Sequence, residues 1–198
     1  SYMSWACFYN VINRANTVLE FAPLVAEKDP NYRVSELYAN IAEAKAIRAL
    51  SYFYLIRAYK DVPYVTIPST DDTNEFVVPA EKFENILDSL IMDLEEVRTY
   101  AVNKYTNKKA NTARFTRNGI DALLADLYLW DGDWDNCIAA VDRIVANRVE
   151  EYKEILEKEP NTTLVLFNNE YPLISNLSPG SGNLGNAYNE IFGKGNSF

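Results

Sequence analysis

The stretch "AIRALSYFYLIRAYKDVPYVT", residues 46–66, decides the fold. It is too aromatic for an ordinary surface helix and too charged for a membrane span, and its helical pattern stops before Pro63. With Ser35 as a good N-cap, the pattern predicts a helix from Ser35 to about Tyr59. The predicted inner face comprises Leu37, Ile41, Ala44, Ile47, Ser51, Tyr54, Leu55 and Ala58, and Tyr52, Phe53 and Tyr59 extend it nearly round the helix. So wide an apolar surface indicates a central helix covered by neighbours on several sides, with Arg48 and Arg57 at its margins.

Helical periodicity also precedes and follows this stretch. Upstream, Trp5, Phe8, Tyr9, Ile12, Ala15 and Leu19 recur at spacings of three and four, and Pro23 is expected to end that helix. Downstream, a helix is predicted from about Ala80 to Tyr100 on the stripe Phe83, Leu87, Leu90, Leu94 and Val97. The connection before it, about 20 residues long, contains Pro63 and Pro68, so we expect an extended segment there.

A helical hairpin is predicted next, from about Thr116 to Trp130 and from Trp134 to Asn147, joined at "DGD". It resembles a tetratricopeptide repeat at Leu124, Ala125, Tyr128, Gly132, Trp134 and Cys137. In that pattern the small residues let two helices approach, Gly132 permits the turn, and Tyr128 with Trp134 fills the space between the helices. The predicted fold class is therefore all-α, with tetratricopeptide-like hairpins and a loop-rich, irregular segment after about residue 150.

Composition excludes several function classes. The chain of 198 residues has a formal net charge of −9, which disfavours nucleic acid and anionic lipid surfaces as partners. It contains no histidine, which removes Ser-His-Asp and Cys-His catalysis and every histidine-ligated zinc site. No apolar run approaches the roughly 20 residues that span a bilayer. Cys7 and Cys137 lie far apart in sequence, and whether they pair is left open.

Three signatures together resemble the SusD/RagB-like surface glycan-binding lipoproteins of Bacteroidetes. They are "NVINRANTVLE" at 10–20, "AEAKAIRALSYFYLIRAYKDVPYVT" at 42–66 and "TRNGIDALLADLYLWDGDWDNCIAAVDRIV" at 116–145, in the order that the family has. Lys60 departs from the family's usual glycine at the end of the aromatic helix. The resemblance implies a SusD-like helical scaffold over residues 1–150 and the beginning of a loop-rich region over 151–198, as an internal fragment of a longer protein.

The resemblance also implies a function. It suggests non-enzymatic capture of oligosaccharide or polysaccharide, without a cofactor or metal, and delivery to a TonB-dependent SusC-like transporter. The full-length protein is then expected at the cell surface, lipid-anchored to the outer membrane. Some glycan contacts in this family come from the region before and into the first helix, which here contains Tyr2, Trp5 and Asn10. Periodicity alone favours a helix-packing role for Trp5.

Two other function classes stay open. A helical-repeat adaptor would bind a peptide or protein in a concave groove, although the long connection between the second and third helices disfavours a regular repeat array. A glycoside hydrolase would need two carboxylates held several ångströms apart, which the sequence does not disclose. The carboxylates of "DGDWD", at 131–135, resemble the start of a calcium loop, but Asn136 replaces the required glycine, so a turn that caps the next helix is favoured.

Overall fold

The computed structural model describes residues 5–69 and 77–158. These residues form the helices α1 (Trp5–Lys28), α2 (Val34–Tyr59), α3 (Phe83–Val97), α4 (Lys108–Ala113), α5 (Arg117–Asp131) and α6 (Trp134–Lys158), the 3₁₀ turn Arg98–Tyr100, and the strands β1 (Val62–Pro63) and β2 (Ala80–Glu81). The all-α prediction is thus confirmed. Within the described residues, no helix is both long enough and apolar enough to cross a membrane.

The chain divides into two compact units, residues 1–140 and 141–198. The first contains α1 to α5 and the first two turns of α6. Of the second unit, the structure describes only the remainder of α6, which continues to Lys158 rather than ending near Asn147 as predicted. The predicted loop-rich C-terminal segment lies mostly outside the described residues and stays a prediction.

Helix α2 is the central element of the first unit, as predicted. It packs against α1, α3 and α5, and the side chains of Tyr52, Phe53 and Leu55 are at most 1% exposed. Short side chains allow this packing, because Ala42, Ala46 and Ala49 are at most 1% exposed and let neighbouring helices approach closely.

The buried face of α2 differs from the predicted one in two respects. Tyr54 and Tyr59 are about half exposed and Ala58 is exposed too, so the apolar surface does not close round the C-terminal end of the helix. Arg48 lies in the interior rather than at the margin, with only 6% of its surface exposed. A buried arginine needs polar partners, and these contribute to the site described below.

Besides the end of α6, two predicted helix starts and the predicted end of α1 were wrong. Pro23 lies inside α1, because a proline removes a single backbone donor and the pattern resumes beyond it, where Asp29 N–H donates to the Val25 carbonyl at 2.9 Å. Helix α2 begins at Val34, and Glu36 rather than Ser35 supports its first turn by accepting the Arg33 N–H at 3.3 Å.

Helix α3 begins at Phe83 rather than Ala80 because Ala80 and Glu81 form a strand. They pair antiparallel with Pro63 and Val62, so the two ends of the long connection are held together. The Asp61 carboxylate accepts the Phe83 N–H at 3.2 Å and satisfies one donor of the first turn of α3. The predicted apolar stripe is confirmed at Leu87, Leu90, Leu94 and Val97, which are buried, whereas its first member, Phe83, is only partly buried.

The α5–α6 hairpin confirms most of the repeat pattern. The Thr116 hydroxyl caps α5 by accepting the Gly119 N–H at 3.2 Å, and Gly132 ends α5 with a left-handed φ of 82°. Asp133 caps α6 by accepting the Asn136 N–H at 3.1 Å, as predicted for "DGDWD". The predicted role of Trp134 was wrong, because it is the first residue of α6, beside the turn, and is 62% exposed.

We expect Lys60→Gly to stabilise the protein. Lys60 ends α2 with φ 67° and ψ −98°, and a side chain at positive φ costs about 1–2 kcal/mol that glycine avoids. After allowance for the greater freedom of glycine in the unfolded chain, a net gain of about 1 kcal/mol is expected in urea denaturation. Lys60→Ala is the control, since it removes the ammonium group over the Phe83 ring and keeps the strain. Equal stability of the two variants would contradict the prediction.

Candidate ligand-binding groove

The extended segment that follows α2, residues 62–69, is held against the helices by side chains. The hydroxyl of Tyr52, on α2, accepts the N–H of Val65 at 2.7 Å and donates to its carbonyl at 3.0 Å. A single buried phenol thus satisfies both polar groups of this residue's backbone, as a neighbouring strand would.

Helix α1 holds the same segment from the other side. The Tyr9 hydroxyl donates to the Pro63 carbonyl at 2.7 Å, and the Asn16 amide donates to the Val65 carbonyl at 3.0 Å. Asn13 binds the backbone of Ser69 twice, accepting its N–H at 2.7 Å and donating to its carbonyl at 3.3 Å. These bonds fix the distance between α1 and the segment.

A buried charge network orients Asn16. Arg48 donates from Nη1 to Asn16 Oδ1 at 3.0 Å and from Nη2 to the Asp93 carboxylate at 2.5 Å. Lys45 bridges Asp93 at 2.9 Å and Glu96 at 2.7 Å, so two cations meet two anions. Because the Arg48 guanidinium donates a hydrogen bond to the amide oxygen of Asn16, the amide nitrogen of Asn16 faces Val65. The Nε of Arg48 is buried and has no hydrogen-bond partner among the described residues.

A groove of about 630 Å³ lies between α1 and this segment. Its walls combine aliphatic side chains, phenol rings, amides and hydroxyls. The lining residues are Tyr9, Asn10, Ile12, Asn13, Asn16, Tyr64, Val65, Thr66, Ile67, Ser69 and Val78. Asn10 is exposed and makes no hydrogen bond to another described residue, which leaves its amide available to a ligand.

An aromatic cluster adjoins one wall of the groove. The ring of Trp5 stacks on Tyr9, with centroids 5.4 Å apart, and contacts Tyr59 edge to face at 4.9 Å. Phe8 stacks on Tyr54 at 5.9 Å. Since Tyr9 also lines the groove, Trp5 is one ring removed from it, and 38% of its surface remains exposed.

The three predicted site residues differ in their position relative to the groove. Asn10 lines the groove, Trp5 lies next to it through Tyr9, and Tyr2 lies outside the described residues. Sequence reasoning missed Asn13, Asn16 and the residues of the extended segment. A signal for the first two was present, since Asn10, Asn13 and Asn16 recur every three residues and so follow one side of α1.

Burial keeps the phenols of the site protonated. It raises the pKa of Tyr9 to about 12, and it raises the pKa of Tyr52 and of Tyr64 above the usual value for a phenol. These hydroxyls therefore act as neutral hydrogen-bonding groups at physiological pH. In the described part of the chain, no cluster of three or more carboxylates or thiols is arranged to hold a metal ion.

Comparison with known proteins gives a consistent picture. Residues 1–129 match the family of SusD-like proteins described as starch-binding and associating with the outer membrane. The SusD-like protein P38 of Formosa agariphila is 25% identical over 149 residues, which cover 74% of this chain and 26% of that protein. A SusD-like protein of Bacteroides ovatus is 29% identical over 136 residues, covering 67% and 23%. The chain thus spans about a quarter of the length of these relatives.

Solved structures agree with the sequence relatives. A SusD superfamily protein from Bacteroides thetaiotaomicron superposes with a TM-score of 0.67 at 25% identity, over 74% of this chain and 34% of that one. A laminarin-binding SusD-like protein superposes with a TM-score of 0.62 at 27% identity, over 71% and 29%.

Arg48→Met should destabilise the protein by about 3 kcal/mol, because it leaves the Asn16 oxygen unpaired and weakens the compensation of Asp93. Urea denaturation measures the effect. Arg33→Met is the matched control: Arg33 also pairs with one carboxylate, Glu36, but its side chain is 77% exposed, so a change below about 0.5 kcal/mol is expected. Equal losses in the two variants would refute the structural role of the buried network.

Stability should fall as the pH rises above 10. In the unfolded chain the tyrosines ionise near pH 10, whereas burial raises the folded-state pKa of Tyr9 to about 12, so the folded state retains its proton over this interval. Stability from this source is complete below pH 10 and is lost as pH approaches 12. Urea denaturation between pH 8 and 11 measures the slope, which should be shallower in Tyr9→Phe. An unchanged slope in that variant would contradict the assignment.

Proposed function

The chain belongs to the SusD-like family, and on that premise we propose that it is the helical scaffold of a non-enzymatic glycan-binding protein. Residues 1–150 belong to the SusD-like scaffold in this proposal, and the loop-rich region expected over residues 151–198 can begin only after α6, which is helical to Lys158. The ligand is an oligosaccharide or polysaccharide that binds without bond cleavage.

The groove between α1 and the extended segment is the observation that carries the proposal. A sugar presents apolar C–H faces and a rim of hydroxyls, so its binding site needs aromatic or aliphatic surfaces beside neutral hydrogen-bonding groups. The groove offers Tyr64, Ile67 and Val78 as such surfaces. Asn10 and Thr66, which make no hydrogen bonds to other described residues, are suited to sugar hydroxyls. Trp5 extends this surface beyond Tyr9.

Similarity to a laminarin-binding SusD-like protein supports a glycan as the ligand. The family description as starch-binding supports the same class. Hydrolysis is disfavoured by the described lining of the groove, because none of those residues carries a carboxylate and glycoside hydrolysis generally uses two.

Cell-surface location and a transporter partner complete the proposal. The family description associates these proteins with the outer membrane, which supports lipid anchorage of the full-length protein on the cell surface. There the protein would deliver captured oligosaccharide to a TonB-dependent SusC-like transporter. Co-purification of the two proteins from outer membranes would test this partnership.

A helical-repeat adaptor remains the alternative function. A second groove of about 490 Å³ lies between α1 and α2, with Val11, Ala15, Val18, Ala44 and Ile47 among its mainly apolar lining. An apolar groove between two helices suits an amphipathic peptide better than a sugar. Pull-down of a peptide that competes with no glycan would favour this function.

Asn10→Ala and Trp5→Ala should each weaken glycan binding about tenfold, which corresponds to about 1.4 kcal/mol. Asn10→Ala removes a hydrogen-bonding amide from the groove, and Trp5→Ala removes the neighbouring ring. A glycan array identifies the ligand, and isothermal titration of the hit measures the affinities.

Trp134→Ala is the matched control for the tryptophan variant. Trp134 is 62% exposed on the α5–α6 hairpin and does not line the groove, so its loss should leave affinity unchanged. If the glycan binds all four proteins equally, the groove is not the site; if no glycan binds the wild type, the proposed function fails.

A further inference from the structure

Among the described residues, the groove between α1 and the extended segment is lined without a charged side chain. None of its eleven described lining residues is Asp, Glu, Lys or Arg. Its polar groups are three amides, the hydroxyls of Thr66, Ser69 and two tyrosines, and the backbone of the exposed residues Thr66 and Ile67. Because the protein has no histidine and burial raises the pKa of Tyr9 and Tyr64, this lining stays neutral over the physiological pH range.

The buried charges behind the groove cannot serve an anionic ligand. Arg48 contacts Asn16 behind the groove, but its side chain is only 7% exposed and its guanidinium binds Asp93. Lys45 pairs with Asp93 and Glu96, so the network of two cations and two anions has no net charge. The network affects the groove only by orienting the side-chain amide of Asn16.

The sequence that follows Ser69 is negatively charged. After Ser69 the chain continues "TDDTNEF", residues 70–76, which contains three carboxylates and no cation. These residues lie outside the described part of the chain, and their composition makes the segment negatively charged. The whole chain carries −9. An anionic ligand would therefore meet unfavourable long-range potential and no compensating cation in the lining.

We propose that the groove selects uncharged oligosaccharides and rejects glycans that carry carboxylate or sulfate groups. This inference rests on the proposed glycan-binding function and specifies its ligand class. The hydroxyls of a sugar can replace their hydrogen bonds to water with hydrogen bonds to the Asn10 amide and to the backbone of Thr66 and Ile67, at little cost in free energy. A carboxylate or sulfate loses hydration in the same place and finds no cation in return.

Matched ligands test the selectivity. Linear hexasaccharides of β-1,3-linked and of α-1,4-linked glucose are titrated into the full chain by isothermal calorimetry, each beside its counterpart with carboxylates at C6. We expect at least one neutral hexasaccharide to bind and its carboxylated counterpart to bind at least tenfold more weakly. Equal or tighter binding of the carboxylated form would overturn the inference while leaving glycan binding intact. Binding of neither form would overturn the proposed function, and this inference with it.

A charge-introducing variant tests the cause. Thr66 is exposed, lines the groove and makes no hydrogen bond to another described residue, so Thr66→Lys adds a cation where the lining has none. It should improve the affinity for the carboxylated ligand, relative to the neutral one, at least tenfold, and the gain should shrink in high salt. Thr66→Gln is the control of similar length without charge and should not change the preference. A preference unchanged by the lysine would contradict the electrostatic explanation.

Discussion

The hydrogen bonds to the backbone of Val65 are the interaction on which the groove depends. Three hydrogen bonds from two side chains converge there, since the Val65 carbonyl accepts from both Tyr52 and Asn16 while its N–H donates to Tyr52. Tyr52 is fully buried and Asn16 is 1% exposed, so neither side chain can replace the segment with bulk water. Removing the segment would leave buried polar groups unsatisfied, each at a cost of about 1–3 kcal/mol. The groove wall is therefore coupled to the core.

Helix α2 couples the groove wall to the core because two of the side chains that hold the segment lie on the same side of this helix. Arg48 and Tyr52 are four residues apart and therefore neighbours on the helix surface. Tyr52 binds the segment directly, and Arg48 binds it through Asn16. Asp93 on α3 then compensates Arg48, which ties a third helix to the same point. This is a physical reason for an arginine within an aromatic helix, and it explains why that residue is buried.

The sequence predicted the helices better than the contacts between them. Period and caps located α3, the hairpin turn at Gly132 and the central position of α2, since these depend on local spacing. The start of α3 was missed because Ala80 pairs with Pro63 across a long connection. The interior position of Arg48 depends on partners 32 and 45 residues away, which periodicity does not reveal. For the same reason, Asn10 was predicted as a site residue but the groove around it was not.

The buried charges are kept away from the groove wall by the order in which four residues contact one another. Asp93, Arg48, Asn16 and Val65 form a chain of contacts from α3 to the groove wall. The charged groups, Asp93 and Arg48, lie at the α3 end of this series of contacts. At the groove end, the series consists of a neutral amide, that of Asn16, and the peptide group of Val65. A buried ion pair thus fixes the positions of neutral hydrogen-bonding groups. A site built in this way recognises ligand polarity through geometry, because the charges that stiffen it are already paired with each other.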